Sequence, residues 1–400
     1  MKDEAIAGLD IGSTKTCAVV AVPRNGIFEI IGIGEAPSDG LQRGLITNLE
    51  AVVRSIELAI EAAERMAGVS IAQVYLGLSG DHMQTRNTQA SVAISNDQHE
   101  IREQDVVRVL DASHRTDDEH ERRTLHALPR SFTVDGFAGV LDPLGMEAKR
   151  LEVDAHIISG ATPMITNLLK CVSRAGLEPV GIVFEPLASA AATLDRDTME
   201  AGVLLLDIGG STTDIALYSR SRVLHTGVIP IGSSFLTRDL SVGLRTSFAE
   251  SERLKRVFDY EGDDERMINV SMLAGQRDGQ INHGQLRAII VPRLHELFRM
   301  VRNDLAKLAD RDLQIDEIVL TGGGANLLGI ERAVSDFFGL SARVGLPAMI
   351  EGLTDEMKQP QYATAVGLLV YGPSGTARPT RPRRQSFLRK FTTWISELWN

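Results

Sequence analysis

The sequence predicts an α/β protein of two lobes that are built from a repeated unit. Residues 6–20 and residues 203–217 each run from a short apolar strand through an Asp-Ile-Gly turn into a second apolar strand. A third apolar run ends in three successive glycines at 322–324. One strand–turn–strand unit that is used twice indicates two related lobes.

Both turns carry the residue types that bind phosphate. Glycines let backbone N–H groups converge on an anion, and Ser and Thr hydroxyls add donors. The candidate phosphate-binding residues are Gly12, Ser13 and Thr14 in the first turn and Gly209, Gly210, Ser211, Thr212 and Thr213 in the second. A pair of ordinary type I′ hairpins is the alternative. The chain has no G-x-x-x-x-G-K-[ST] motif, so a P-loop is excluded.

Acidic residues stand beside both turns. Asp10 and Asp207 lie where the first strand of each unit ends. They predict a site for hydrated Mg²⁺, because this ion keeps most of its waters and takes only one or two carboxylates beside phosphates. Lys15 and Asp214 follow one step beyond each turn.

The composition is typical of a soluble globular protein. Hydrophobic residues make up 43% of the chain and charged residues 24%, with a formal net charge of −11. This charge, without a basic aromatic-rich patch in the body of the chain, argues against a nucleic-acid partner. We expect Cys17 and Cys171 to be buried thiols in a reducing cytoplasm, and we expect no signal or transit peptide.

The first region has the pattern of a strand meander followed by a helix. Strands are predicted at 5–9, 17–22, 28–34 and 74–78. Between the last two, Asn48 caps a helix with apolar residues at spacings of three and four, and Gly68 ends it.

The pattern changes at 81–159 and predicts a small inserted α+β subdomain. Short strands are predicted at 91–94 and 125–133 and a charged helix at 102–114. His114, His120 and His126 lie here without Cys or carboxylates at ligand spacing. We therefore expect solvated surface histidines rather than a metal site.

After this insertion, a strand at 151–159 and a helix at 162–175 lead to the segment EPLASAAATL. Glu185 precedes Pro186 at the start of the helix that this segment predicts. A carboxylate that faces the cleft would orient a water for attack on a phosphate. The alternative, which the sequence alone favours, is a charge that stabilises a helix N-terminus.

The second half repeats strand signals and adds helices. We expect a strand pair at 222–231, helices at 246–260 and from Pro292 onward, strands at 267–272 and 315–320, and an apolar helix at 362–371. Glu252 and Lys255 are neighbours on one helix face, and they either contact a sugar edge or pair with each other. The third glycine turn opens a helix, where backbone would lie flat against a nucleotide.

Five motifs in this order resemble the nucleotide-site motifs of the actin, sugar kinase and heat-shock-70 superfamily. They are DIG at 10–12, EPLASAAA at 185–192, LDIGGSTTDI at 206–215, TGGGANLLGI at 321–330 and ATAVGLL at 363–369. The resemblance implies an actin-like two-lobed ATPase fold of duplicated ribonuclease-H-like units that bind ATP and Mg²⁺. It places Lys15 on the first phosphate loop, and Glu252, Lys255, Gly322, Gly323 and Gly324 at the adenosine. Glu185 and Asp214 are then candidate catalytic residues for at most slow ATP hydrolysis.

Within this superfamily, the small insertion and the tail resemble the FtsA family of bacterial cell-division proteins. The resemblance implies a first lobe of 1–80, 160–199 and 357–372, an inserted subdomain of 81–159, a second lobe of 200–245 and 301–356, and a peripheral subdomain of 246–300. In that family the last of these binds the C-terminal peptide of the tubulin-like FtsZ. It also implies other division partners and a place at the division site, on the cytoplasmic side of the inner membrane.

The C-terminal residues predict a membrane anchor. Residues 373–385 are rich in Pro, Gly and Arg and are typical of a flexible basic linker. Residues 386–400 form an amphipathic stripe when wound as a helix, but they are too few to span a bilayer, which takes about 20 apolar residues. The candidate membrane-binding residues are Phe387, Leu388, Arg389, Lys390, Phe391, Trp394, Ile395, Leu398 and Trp399. A terminal helix that docks on the body is the alternative.

This anchor favours anionic lipids and should bind reversibly, so a polymer of the chain would gain membrane affinity by avidity. Two other functions use the same fold. A small-molecule kinase would need a substrate pocket and a base between the lobes. A pilus-assembly protein shares the small insertion but not the amphipathic tail.

Overall fold

The computed structural model describes residues 5–24, 27–114, 121–272, 279–308 and 314–375. In these ranges the chain forms two five-stranded mixed sheets, one for each lobe, and a four-stranded sheet inserted into the first lobe. The predicted linker beyond residue 375, the predicted membrane-binding residues 387–399 and His120 lie outside the described residues.

The first lobe opens with the predicted meander. Its elements are β1 (Ile6–Ile11), β2 (Lys15–Arg24), β3 (Ile27–Pro37), the short pair β4 (Leu41–Gln42) and β5 (Leu45–Ile46), α1 (Leu49–Ala67) and β6 (Gln73–Leu78). The Asn48 side chain accepts the N–H of Ala51 at the start of α1, and Gly68 ends the helix in a left-handed conformation, as predicted. Because β6 runs parallel to β1, both strands end at the edge that carries the first turn.

The inserted subdomain is an antiparallel sheet covered by one helix. Its elements are β7 (Met83–Ala93), α2 (Glu103–His114), β8 (Arg122–Val134), β9 (Phe137–Val140) and β10 (Arg150–Ala161), in the sheet order β7-β10-β8-β9. Val106 and Val109 of α2 are buried in the same cluster as Val153 and Ile157 of β10. This alternation of buried side chains along β10 gives the subdomain its own core.

His126 corrects the expectation of surface histidines. It lies in β8 with only 4% of its surface exposed. Its Nε2 accepts a 3.1 Å hydrogen bond from the backbone N–H of Phe184, and its ring packs edge-on against Tyr371. The reason is that β8 packs on the first lobe. His126 is therefore buried, although the sequence before it is highly charged. Among the residues described here, no group of three or more His, Cys, Asp and Glu side chains is arranged to hold a metal ion directly.

The chain then completes the first lobe and crosses to the second. The connecting elements are α3 (Thr162–Arg174), β11 (Glu178–Phe184), α4 (Glu185–Thr193) and α5 (Arg196–Ala201). β11 lies parallel to β6 and gives the sheet the order β11-β6-β1-β2-β3. Cys17 and Cys171 are both buried free thiols, as predicted.

The second lobe repeats the meander and adds a peripheral group of helices. Its elements are β12 (Val203–Ile208), β13 (Thr213–Ser219), β14 (Arg222–Ile229), α6 (Ser233–Leu244), α7 (Phe248–Val257), β15 (Met267–Val270), β16 (Gly279–Asn282), α8 (His283–Leu305), β17 (Glu317–Thr321), α9 (Ile330–Phe338) and β18 (Ser341–Val344). The sheet order is β14-β13-β12-β17-β18. The sequence did not predict α6, and residues 222–229 form one strand that pairs with β13 rather than a strand pair.

Helix α8 begins nine residues before the predicted start at Pro292. Asn282 and Gln285 form a capping box in which each side chain accepts the backbone N–H of the other. Leu286 and Ile290, which lie between this cap and the proline, are fully buried in the core of the second lobe. Their burial and the cap offset the cost of a proline inside a helix, which is about 3 kcal/mol.

Helix α10 (Ala363–Gly375) returns the chain to the first lobe and crosses α4. The crossing is very close: a Cβ on Gly367 would lie 1.8 Å from the carbonyl oxygen of Ala188, and a Cβ on Gly8 would lie 2.2 Å from that of Ala365. Only glycine permits this close packing of α10 against α4 and β1. No helix within the described ranges is long and apolar enough to cross a membrane.

Candidate functional site

The two predicted phosphate turns share one backbone geometry. In the first, the N–H of Gly12 donates to the carbonyl oxygen of Lys15 at 3.0 Å, and in the second, the N–H of Gly209 donates to that of Thr212 at 2.9 Å. Asp10 is the next-to-last residue of β1 and Asp207 is the next-to-last residue of β12. Each lobe therefore presents the same turn with a carboxylate at its base.

The two turns meet across the cleft between the lobes. A Cβ on Gly210 would lie 2.5 Å from Cγ2 of Thr14, so the tips of the turns are in contact. The N-terminus of α6 supports the second turn, since the N–H groups of Ser233 and Ser234 each donate at 2.9 Å to the carbonyl oxygens of Gly209 and Gly210. The turns are thus held facing each other, as an anion clamp requires.

The predicted hydroxyl donors do not all face this cleft. Thr14 is exposed, and Ser13, Ser211 and Thr212 are partly exposed on the turns. Thr213 is fully buried, and its hydroxyl donates a 2.7 Å hydrogen bond to the carbonyl oxygen of Ile231. Thr213 is the first residue of β13 and its hydroxyl is used within the lobe in this structure, so its assignment to the phosphates stays a prediction.

Four carboxylates converge between the turns and the crossing helices. They are Asp10, Glu185, Asp207 and Asp214, and burial is the largest cause that raises the pKa of each. Burial raises the pKa of Asp10 to about 7; the charge of Lys15 opposes the shift and that of Asp207 adds to it. For Glu185, the charges of Asp10, Asp214 and Asp207 add to the effect of burial in that order. A cluster of like charges with raised pKa values is typical of a cation or catalytic site.

Asp207 is fixed by both crossing helices. Its Oδ2 accepts a 2.5 Å hydrogen bond from Ser189 of α4 and a 3.1 Å hydrogen bond from Thr364 of α10. Its Oδ1 lies against Gly322, where a Cβ would be only 2.2 Å away. Sequence reasoning missed Ser189 and Thr364, although a hydroxyl in each of two otherwise small and apolar helices was the available signal.

Asp214 is fixed from the opposite lobe. Ser79, which follows β6 in the first lobe, donates a 2.7 Å hydrogen bond to Oδ1 of Asp214 in β13. Sequence reasoning also missed Ser79, because its partner lies in the other half of the chain.

The Lys15 side chain, predicted on the first phosphate loop, contacts Glu35 and Tyr362 in this structure. Its ammonium lies 3.1 Å from a carboxylate oxygen of Glu35 and 4.1 Å from the centre of the Tyr362 ring. Both side chains of the ion pair are partly exposed, and such pairs contribute at most about 1 kcal/mol. Lys15 is therefore free to turn towards an anion at small cost.

Of the predicted adenosine residues, Gly324 lines a small apolar cavity in the second lobe. Its walls include Ile208, Ile231, Leu236, Leu294, Gly324 and Ile330, with Arg293 at one side. Glu252 and Lys255 form an ion pair of 2.7 Å, and Glu252 accepts a hydrogen bond from Thr237, the neighbour of Leu236. Gly322 has a φ of +79°, which suits the tight turn that brings Gly324 into the cavity wall.

Comparison with known proteins gives the family. The family model described as "Cell division protein FtsA" matches residues 204–367, and the model "SHS2 domain inserted in FTSA" matches residues 80–159. The chain is 38% identical over 373 residues to the cell division protein FtsA of Pseudomonas aeruginosa, covering 92% of this chain and 89% of the relative. It is 33% identical over 406 residues to FtsA of Escherichia coli K12, covering 98% and 96%. The chain belongs to the FtsA family of cell division proteins.

Solved structures support the fold of this FtsA-family chain. The PilM-PilN type IV pilus biogenesis complex matches with a TM-score of 0.67 and 19% identity over 92% of this chain and 98% of that one. MreB5 of Spiroplasma citri bound to ADP matches with a TM-score of 0.53 and 14% identity over 92% and 96%. These likenesses confirm the predicted actin-like two-lobed fold with an inserted subdomain. Family membership favours cell division over the pilus-assembly and small-molecule-kinase alternatives.

Proposed function

We propose that this FtsA-family protein binds ATP with Mg²⁺ between its lobes and tethers FtsZ to the membrane. The observation that carries the nucleotide proposal is the pair of matching turns that face each other above four carboxylates. Backbone N–H groups and hydroxyls of the turns suit phosphate oxygens. The acidic cluster, in which Asp207 and Asp214 are buried, suits a cation, which would relieve the repulsion between its charges.

Each group in the cleft has a role in this proposal. Asp10 and Asp207 would hold Mg²⁺ through its waters, since Oδ2 of Asp207 is already bonded to two hydroxyls. Bound Mg²⁺ would supply charge neutralisation at the phosphates. Glu185 and Asp214 would hold a water near the terminal phosphate, and we propose at most slow hydrolysis. Adenine would lie beside the glycine turn at 322–324, and the Glu252–Lys255 pair would lie towards the ribose.

We propose the peripheral subdomain at 246–300 as the site for the C-terminal peptide of FtsZ. Phe248 of α7 and Met267 of β15 are both more than half exposed there. The side chains of Arg253 and Arg256 of α7 are also exposed there, each paired with a glutamate of the same helix. Apolar anchors beside basic residues suit a short peptide with apolar and acidic side chains.

The C-terminal residues 386–400 would lie flat on anionic lipid at the cytoplasmic face of the inner membrane, at the division site. Self-association on the membrane would let many weak anchors bind lipid together, which would raise the membrane affinity of the assembly. Other division proteins are expected partners of the assembled polymer.

Copelleting with anionic liposomes tests the tether. The full chain should pellet with lipid and carry FtsZ with it, and deletion of residues 386–400 should abolish pelleting without loss of ATP binding. A matched control is Trp394→Phe, which keeps an apolar aromatic side chain and should still pellet. Lipid binding by the deleted form would contradict the anchor assignment. Loss of FtsZ with retained lipid binding is expected of Arg253→Glu.

A further inference from the structure

The inserted subdomain contacts the second lobe outside the cleft, although it is continuous in sequence with the first. Thr85 of β7 donates a 2.7 Å hydrogen bond to the carbonyl oxygen of Thr226 in β14. His156 of β10 is 1% exposed, and its Nε2 lies 2.8 Å from the hydroxyl of Thr226. Arg222, at the start of β14, donates a 2.7 Å hydrogen bond to the carbonyl oxygen of Leu141. The subdomain therefore bonds to three groups along one strand of the other lobe.

That strand, β14, is the edge of the second sheet. Its pairing with β13 places Thr226 opposite Ala216 and Val228 opposite Asp214. Asp214 and the Thr226 contact are thus two residues apart along one hairpin. The hairpin therefore carries Asp214 of the carboxylate cluster close to Thr226, which holds the inserted subdomain.

The segment that enters the inserted subdomain contacts this hairpin at both places. Ser79 ends the run from β6 and donates to Oδ1 of Asp214 at 2.7 Å. Gly80 follows, packed against Arg43 and Gly44 so closely that a Cβ would lie 2.5 Å from the carbonyl oxygen of Arg43. Thr85 then donates to Thr226. Because this stretch is short and closely packed, a shift of Ser79 moves the start of β7.

We propose that Ser79 is a positioning residue that couples the ligand state of the cleft, through Asp214, to the contact between the inserted subdomain and β14. The inference rests on the proposed binding of ATP and Mg²⁺ beside Asp214. A ligand that fixes the Asp214 carboxylate also fixes Ser79, and with it the start of β7 against Thr226. By thermodynamic linkage, a ligand that tightens this contact is itself bound more tightly when the contact is intact.

Amide hydrogen exchange measured by mass spectrometry tests this coupling on the full chain, with and without ATP and Mg²⁺. In the parent protein, we expect ligand to slow exchange by about fivefold or more in peptides that cover 83–90 and 222–229. Ser79→Ala should lose most of this slowing, while its ATP dissociation constant rises by less than about tenfold. A merely structural role for Ser79 would raise exchange equally with and without ligand.

Two further variants sharpen the test. Thr85→Val removes the other end of the connection and should lose the slowing at 222–229 while ATP still binds. Thr88→Val is the matched control, because its hydroxyl bonds to the carbonyl oxygen of Ser113 within the subdomain, and it should keep the slowing. Thermal melts establish that each variant is folded, and Thr85→Val decides the matter if Ser79→Ala does not fold.

The outcomes separate the inference from the proposed function. If equilibrium dialysis finds no ATP bound to the parent protein, the proposed function fails and the inference fails with it. If ATP binds but leaves exchange at 83–90 and 222–229 unchanged, only the inference is overturned. Retention of the full slowing in both Ser79→Ala and Thr85→Val also overturns it.

Discussion

Thr14 and Gly210 touch across the cleft, with 2.5 Å between Cγ2 of Thr14 and the position a Cβ would take on Gly210. A side chain at residue 210 must displace the Thr14 side chain or push the turns apart, because carbon atoms do not approach so closely. We expect Gly210→Ala to weaken ATP binding by about tenfold, since the donors of both turns must meet one phosphate group. Thr14→Ser, which removes the Cγ2 methyl, should restore binding in the double variant. Isothermal titration calorimetry measures the ATP affinity of the single and the double variant. A double variant that binds ATP as weakly as Gly210→Ala would contradict this contact.

The hydroxyl of Ser189 is expected to position Asp207. Ser189→Ala leaves the buried Oδ2 with Thr364 as its remaining donor in the described structure. The loss of a hydrogen bond to a buried carboxyl group should lower the free energy of unfolding by about 1–3 kcal/mol and weaken ATP binding. Thr193→Val is the control in the same helix, because its hydroxyl bonds only to the backbone of Ser189 among the contacts resolved, and it should leave ATP affinity unchanged. Denaturant titration measures the change in the free energy of unfolding, and ATP titration measures the change in affinity.

Asp10 should make the nucleotide-free protein less stable as the pH rises. Burial raises its pKa from 3.8 to about 7, so the folded state holds this proton more tightly than the unfolded state does. The loss in the free energy of unfolding that Asp10 causes therefore grows between about pH 4 and pH 7, and it stays constant above pH 7. Asp10→Asn should raise the melting temperature by a few degrees at pH 8, and the gain should shrink towards pH 4. A gain of equal size at every pH would contradict a raised pKa.

His156, in contrast to Asp10, should make the protein less stable as the pH falls. Burial lowers its pKa from 6.5 to about 3, and the charges of His225 and Arg130 add to this effect. Its contribution to stability is present above pH 6.5 and is lost as the pH falls towards 3, because the unfolded state takes up the proton first. The free energy of unfolding of the parent should therefore fall more between pH 7 and pH 5 than that of His156→Gln. Parallel slopes for the two proteins would show that His156 is not the titrating group.

The sequence predicted what depends on local pattern. The capped helix after Asn48, the two turns and the small inserted subdomain follow from residue type and spacing that need no distant partner. Helix α8 started earlier than predicted because buried contacts of Leu286 and Ile290 outweigh the local signal of Pro292.

The site was predicted only in part, because local sequence patterns do not show contacts between the lobes. Asp10 and Asp207 are visible in the motifs, whereas Ser79 and Ser189 acquire their roles only when the lobes meet. His126 was expected at the surface because its neighbours in the sequence are charged. It is buried because β8 packs against the first lobe, and this contact is not visible in the local sequence. Contacts between residues far apart in sequence decide these positions.

The most direct test of the account is equilibrium dialysis of the purified full chain with ATP, with Mg²⁺ and with a chelator in its place. The account predicts ATP binding that depends on Mg²⁺ and is strongly weakened in Asp10→Asn and in Asp207→Asn, both of which remain folded. Absence of ATP binding in the presence of Mg²⁺, or binding that neither the chelator nor the two substitutions reduce, would contradict it.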